Sequence, residues 1–164
     1  MKIVSLDENC MTIFLNKYYL KNLNFDIKSD LETYFKNLFL RLNKYYNINI
    51  TGYYNIDVYI DENYGLIIKL IKEDVQYYDY FDNQIDMRIS LKNKKFLYGV
   101  NDLFDISNLA DFEIYLYNGK YYIDLLENNI SDIDMMKLIE FSDIVYDNTI
   151  DNIRNTRSIN KNMI

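Results

Sequence analysis

The sequence contains no histidine, no tryptophan and no proline, and Cys10 is its only cysteine. Catalytic triads of the usual kind need a histidine and zinc fingers need cysteine or histidine, so both site types are excluded. One cysteine also excludes a disulfide framework, and we expect Cys10 to be inert. The four glycines are isolated from one another, so no glycine-rich loop predicts a phosphate site. We therefore expect no catalytic residue, no metal and no cofactor.

Long apolar runs are absent as well. The run at residues 66–68 is broken by Lys69 and Lys72, far short of the roughly 20 residues that span a bilayer. Residues 1–20 lack the basic start, the apolar stretch and the small-residue cleavage site of a signal peptide. A single thiol is typical of a reducing compartment. The sequence thus predicts a cytoplasmic protein with no membrane role.

The residues that are present predict a folded, acidic protein. Of 164 residues, 49% are hydrophobic, and 18 tyrosines and 9 phenylalanines supply enough apolar surface for a core. The 25 acidic and 18 basic side chains give a net charge of −7. Most tyrosine-rich segments are flanked by Asp and Glu, which repel phosphate, so nucleic acid is not an expected partner.

The N-terminal half has the pattern of a ββαββ unit. Residues 2–6 and 11–16 read as a β-hairpin. Ser29 and Glu32 form a capping box, and apolar residues at helical spacing follow up to Tyr45. From Tyr54 the period changes to two, with Asp57 and Asp61 on the polar side of a strand, and a further strand is predicted at 66–72.

The C-terminal half repeats this order of elements. Strands are predicted at 85–91 and 96–99, followed by a short helix at 102–110 and a hairpin at 114–123. A final helix begins at the N-cap residue Ser131. The predicted fold is α+β, with two small ββαββ-like units of which the second has an extra C-terminal helix. The predicted segments are an N-terminal unit at 1–73, a junction at 74–83, a C-terminal unit at 84–150 and a polar tail at 151–164.

Aromatic side chains are the best candidates for partner binding, because they bury a large area for little lost rotamer entropy. A type I′ turn at Asn118-Gly119 pairs Tyr115 with Tyr122 and puts both on one face with Tyr117, opposite Ile114, Leu116, Tyr121 and Ile123. The acidic junction adds a second group. The predicted partner-binding residues are Tyr77, Tyr78, Tyr80, Phe81, Tyr115, Tyr117 and Tyr122. The alternative is that both groups pack against neighbouring elements.

Carboxylates are the only plentiful side chains with catalytic chemistry. Asp57, Asp61 and Glu62 lie close together in the sequence, as a magnesium site would require. Asp57 and Asp61 also fall on the polar face of an amphipathic strand, where solvated acids are expected in any case. We therefore expect a protein that is not an enzyme.

Several short motifs resemble the MecA-type adaptor proteins of low-GC bacteria. In the first half the resemblance rests on residues 1–9, 13–15, 38–39, 56–59 and 65–69. In the second half it rests on residues 96–98, 102–106, 116–123 and 138–141. The resemblance implies that the N-terminal unit binds a target protein and that the C-terminal unit docks on the AAA+ unfoldase ClpC. A different hypothesis, from the net charge, is a stand-alone acidic inhibitor or assembly subunit with a basic protein partner.

Overall fold

The computed structural model of the chain describes residues 2–5, 9–17, 28–48, 50–73, 85–93, 95–102, 112–126 and 130–159. These residues form three helices and ten strands in two five-stranded sheets, and the predicted α+β fold class is confirmed. The chain divides into two units. Unit 1 consists of Met1–Tyr59 and Gly65–Lys92, and unit 2 consists of Ile60–Tyr64 and Asn93–Ile164.

Unit 1 contains one helix and the first sheet. Its elements are β1 (Lys2–Ser5), β2 (Cys10–Asn16), α1 (Lys28–Tyr46), β3 (Gly52–Asp61), β4 (Gly65–Lys72) and β5 (Ile85–Asn93). The order in the sheet is β1-β2-β4-β3-β5. The predicted hairpin is confirmed, since β1 and β2 pair antiparallel with Lys2 opposite Phe14. Strand β5 belongs to this sheet, which corrects the prediction that the second unit begins at residue 84.

Helix α1 follows directly from the spacing of its apolar residues. The inward positions are buried, and the rings of Phe35 and Phe39 stack with centroids 6.1 Å apart. The helix begins at Lys28, one residue before the Ser29 predicted as its cap. It ends where Asn47 takes a left-handed φ of 55°, a conformation that asparagine tolerates better than most residues.

Strand β3 departs from strict alternation near its end. Tyr54, Ile56 and Val58 are buried as predicted, but Tyr59 and Asp61 are buried too. The change of phase coincides with the passage of the chain from unit 1 to unit 2 after Tyr59. The prediction that Asp61 lies on a solvated face is therefore wrong.

Unit 2 contains the second sheet and two short helices. Its elements are β6 (Leu97–Val100), β7 (Phe112–Tyr117), β8 (Lys120–Leu125), α2 (Asp132–Phe141), β9 (Asp143–Val145), α3 (Thr149–Arg154) and β10 (Ser158–Ile159). The sheet order is β10-β7-β8-β6-β9. The Asn118-Gly119 turn has two positive φ angles, 51° and 76°, and Tyr115 lies opposite Tyr122, so the predicted hairpin register is confirmed. Most of the predicted helix at 102–110 lies outside the described residues.

The predicted C-terminal helix is confirmed. It is α2, and the Ser131 hydroxyl caps it by accepting a hydrogen bond from the backbone N–H of Asp134 at 3.1 Å. The chain beyond it does not remain a polar tail as far as the structure describes it, because α3 and β10 follow. Ile150 and Ile153 of α3 are fully buried. Two isoleucines within an Asn-rich and Asp-rich stretch supply the apolar surface that orders this segment.

Candidate functional site

The hairpin tyrosines form part of the interior of unit 2. Tyr115 is only 8% exposed and packs in a cluster with Leu97, Ile150 and Ile153. Tyr117 and Tyr122 are partly buried against this cluster, with their rings 6.4 Å apart. The three tyrosines do share one face, but α3 covers that face. The prediction of an exposed tyrosine surface is therefore corrected.

The opposite face of the hairpin is also different from the prediction. Ile114 and Ile123 are buried as expected, whereas Leu116, predicted to point inward, is 44% exposed. The Tyr115 hydroxyl donates a hydrogen bond to a Glu113 carboxylate oxygen at 2.7 Å. This bond and partial desolvation raise the pKa of Tyr115 to about 12. The hydroxyl thus stays protonated at physiological pH and acts as a donor within the unit.

The second predicted group belongs to the acidic junction at residues 74–83. Tyr77, Tyr78, Tyr80 and Phe81 lie outside the described residues, so their role in partner binding stays a prediction.

Strand β3 holds its two acids in different environments. Asp57, in unit 1, forms an ion pair with the Lys92 ammonium at 2.8 Å, and this bond raises the pKa of Lys92. Lys92 also lies 5.1 Å above the ring of Tyr59. Asp57 is thus balanced by a neighbouring cation. Among the described residues, no group of three or more acidic or cysteine side chains could hold a metal ion.

Asp61 is a buried carboxylate in unit 2. One of its oxygens accepts hydrogen bonds from the backbone N–H groups of Asn63 and Tyr64, and the other accepts from the backbone N–H of Phe96, all at 2.8 Å. Burial raises the pKa of Asp61, and these donors and Lys95 oppose that rise only in part. The carboxylate therefore fixes the β3–β4 turn and the start of β6. It has a structural explanation and does not require a substrate.

A second buried acid holds α3 in place. Arg154 donates from Nε and from Nη2 to the same Asp124 oxygen, each at 2.8 Å, and so ties α3 to β8.

Tyr98 on β6 is fully buried, and its hydroxyl has no hydrogen-bond partner in the part of the chain that the structure describes. Desolvation raises the pKa of Tyr98 well above its ordinary value. These groups belong to the interior of unit 2.

A groove follows helix α1 in the described part of unit 1. It has a volume of about 550 Å³. Its described lining comes from successive turns of that helix: Tyr34, Asn37, Leu38, Arg41, Leu42, Tyr45 and Tyr46. Leu38 and Leu42 are buried, whereas Arg41, Tyr45 and Tyr46 are exposed. The groove thus combines an apolar floor with aromatic rings and a guanidinium group.

In unit 2 the outer face of α2 is exposed and apolar. Ile133 is 67% exposed and Met136 is 71% exposed on this face, and Phe141, the last residue of the helix, is 50% exposed. Met135 and Leu138, on the other side of the helix, are buried. The helix carries three acidic side chains and one basic one. This surface, the α2 outer face, was not predicted from the sequence. The opposite side of the helix already supplies the core contacts. That pattern in the sequence could have indicated that the remaining apolar residues form an exposed face.

The α1 groove and the α2 outer face present different side chains. The described lining of the groove offers tyrosine rings, an asparagine amide and a guanidinium group, and α2 offers apolar side chains and carboxylates. In the described ranges, no helix has the length and apolar character needed to cross a membrane. Aromatic and methionine side chains are enriched at protein interfaces in general.

The chain was compared with known proteins at three levels. No protein-family model, no curated protein and no solved structure matches it.

Proposed function

We propose that the chain is a non-enzymatic adaptor that binds other proteins, and that it delivers a target protein to an AAA+ unfoldase of the ClpC type. The observation that supports protein binding is the α2 outer face. Ile133 and Met136 lie one turn apart, and both keep about two-thirds of their surface in water. Burying such side chains against a partner is favourable by about 25 cal/mol per Å² of apolar area.

The division of the chain into two units supports the adaptor part of the proposal. The α2 outer face belongs to unit 2, and the α1 groove belongs to unit 1. Each unit therefore has an exposed surface of its own. An adaptor needs two such surfaces, one for the target and one for the machine. In the proposal unit 2 docks on the unfoldase and unit 1 binds the target, as the resemblance to MecA-type adaptors implies.

The direct test is to mix the full chain with purified ClpC and to measure its ATPase rate. We expect stimulation by the unmodified chain and loss of stimulation by the double variant Ile133→Ser/Met136→Ser. The matched control is Leu116→Ser, which alters another exposed apolar residue of unit 2. Absence of both stimulation and a complex at micromolar concentration would remove the unfoldase from the proposal.

The acidic side chains of α2 favour a second candidate function. Asp132 and Glu140 are exposed on this helix and would attract a basic partner, as in an acidic inhibitor or assembly subunit. Screening acts over about 8 Å at physiological ionic strength, so such binding weakens as salt is added. A pull-down with a salt titration separates the two functions. An unfoldase subunit in the eluate supports the adaptor, and a single salt-sensitive basic protein supports the inhibitor.

A further inference from the structure

We propose that the α1 groove binds a short acidic segment of a partner protein, with a bulky apolar side chain of that segment seated between the tyrosines. The inference rests on the proposed protein-binding role, and it adds the chemistry of the segment that unit 1 recognises.

The charge of the groove selects the sign of the partner. Helix α1 has four basic and two acidic side chains, in a chain with a net charge of −7. Arg41 is the only charged residue in the described lining, and none of the described carboxylates forms an ion pair with it. Its planar guanidinium can therefore donate two parallel hydrogen bonds to one carboxylate of a partner.

A second cation lies beside one of the lining residues of the groove. The Lys44 ammonium is 5.5 Å from the centre of the Tyr45 ring, and Tyr45 lines the groove. Arg41 and Lys44 are thus both placed to attract acidic side chains. The far side of the helix, where Glu32 and Lys36 are spaced one turn apart, is balanced in charge. The positive character of α1 is therefore concentrated along the groove.

The apolar part of the groove determines which other side chains the bound segment needs besides its acids. Leu38 and Leu42 form the floor, and the rings of Tyr34 and Tyr45 stand beside it. Tyr34 and Tyr46 are twelve positions apart on the helix, so the groove is about 18 Å long at 1.5 Å per residue. An extended segment covers that length with about six residues at 3.3 Å each. A segment with one leucine or phenylalanine among several acids would match both the apolar lining and the length of the groove.

The test is a fluorescence-anisotropy titration of the full chain with a labelled peptide of about eight residues, in which one central Leu is flanked on both sides by Glu and Asp. We expect saturable binding that Arg41→Glu weakens by about tenfold or more. Lys36→Glu makes the same change of charge on the far side of α1 and should alter binding by no more than about twofold. Tyr45→Ser should weaken binding without removing its salt dependence.

The variants are chosen so that folding does not decide the outcome. Arg41, Tyr45 and Lys36 are exposed, and exposed substitutions usually change stability by less than about 0.5 kcal/mol. Arg41→Gln removes the charge without reversing it and should give an intermediate loss of affinity. Circular dichroism of each variant checks that the helix content is unchanged.

Several results would overturn the inference. One is equal weakening by Arg41→Glu and Lys36→Glu, because that would show attraction by net charge alone. Another is equal binding of a peptide with Lys and Arg in place of the acids. Tighter binding of a single-stranded oligonucleotide would assign the groove to nucleic acid. A dimer in light scattering that Arg41→Glu converts to a monomer would assign it to a second copy of the chain. None of these results depends on ClpC, so they are distinguishable from failure of the ATPase test.

Discussion

Tyr115 on the hairpin and Tyr45 on α1 both lie on elements that bury several apolar residues, but the surroundings of the two rings differ. Tyr115 is 8% exposed beneath Ile150 and Ile153, whereas Tyr45 is 69% exposed at the edge of a groove. The difference is made by α3, a helix of six residues that covers one face of the hairpin. An aromatic residue is therefore available for binding only where no later segment of the chain returns to cover it.

The largest expected effect comes from removing the covered aromatic ring. Tyr115→Ala should lower the free energy of unfolding by about 3–5 kcal/mol, because it leaves a cavity among buried side chains and a packed helix above it. Tyr45→Ala should lower it by less than about 0.5 kcal/mol. Urea denaturation of both variants measures the difference. Equal losses for the two would show that the cover over Tyr115 is not a stable part of the protein.

Local patterns account for the parts of the fold that the sequence predicts. Asn118 and Gly119 determine the hairpin register, because a two-residue turn with two positive φ angles allows only one pairing. Helix α1 follows from its apolar period, and the cap of α2 follows from Ser131. In each case the residues that determine the structure lie within one element or one turn.

The features that sequence reasoning missed depend on partners that are distant in the chain. Ile150 and Ile153 are two apolar residues in a polar stretch, and nothing near them indicates that they cover Tyr115. Strand β5 has the pattern of any amphipathic strand, so its place beside β3 cannot be read from its own residues. The burial of Asp61 requires the backbone N–H of Phe96, 35 positions away. The α1 groove and the α2 outer face become visible only once the core is known.

The covering helix can be loosened without removing any aromatic ring. Arg154→Met deletes the partner of Asp124, whose side chain is only 11% exposed, and leaves that carboxylate unpaired. Because Arg154 is itself one-third exposed, we expect a loss of about 2–3 kcal/mol, below the range for a fully buried pair. Chemical denaturation gives this loss.

The variant that tests the origin of the loss is the double change Asp124→Leu/Arg154→Met. It removes both charges, so it should recover part of the stability lost in Arg154→Met. No recovery would mean that Arg154 acts through packing instead of through its ion pair. Faster amide hydrogen exchange at Tyr115 in Arg154→Met would show directly that α3 is what covers the hairpin.

The smallest expected effect comes from comparing a substitution of a buried charge with a substitution of an exposed one. Asp61 is 5% exposed, whereas Arg41 stands open to water. Asp61→Asn keeps one carbonyl oxygen, which can still accept some of the three backbone hydrogen bonds, but its amide group donates where the second oxygen accepted. We therefore expect a loss of about 1–2 kcal/mol near neutral pH. Arg41→Gln should be close to neutral in the same denaturation experiment.

The pH dependence of the Asp61→Asn effect has a definite sign. Burial raises the pKa of Asp61 in the folded protein above its ordinary value of 3.8, so the folded state binds more protons than the unfolded state between the two values. The contribution of Asp61 to stability is then fully present below 3.8 and decreases as the pH rises through the raised pKa. The Asn variant lacks this titration. Its deficit relative to the unmodified chain should therefore be larger near about pH 4 than near about pH 7. A deficit that is smaller at the lower pH would mean that the three backbone donors outweigh burial and hold the pKa of Asp61 below its ordinary value.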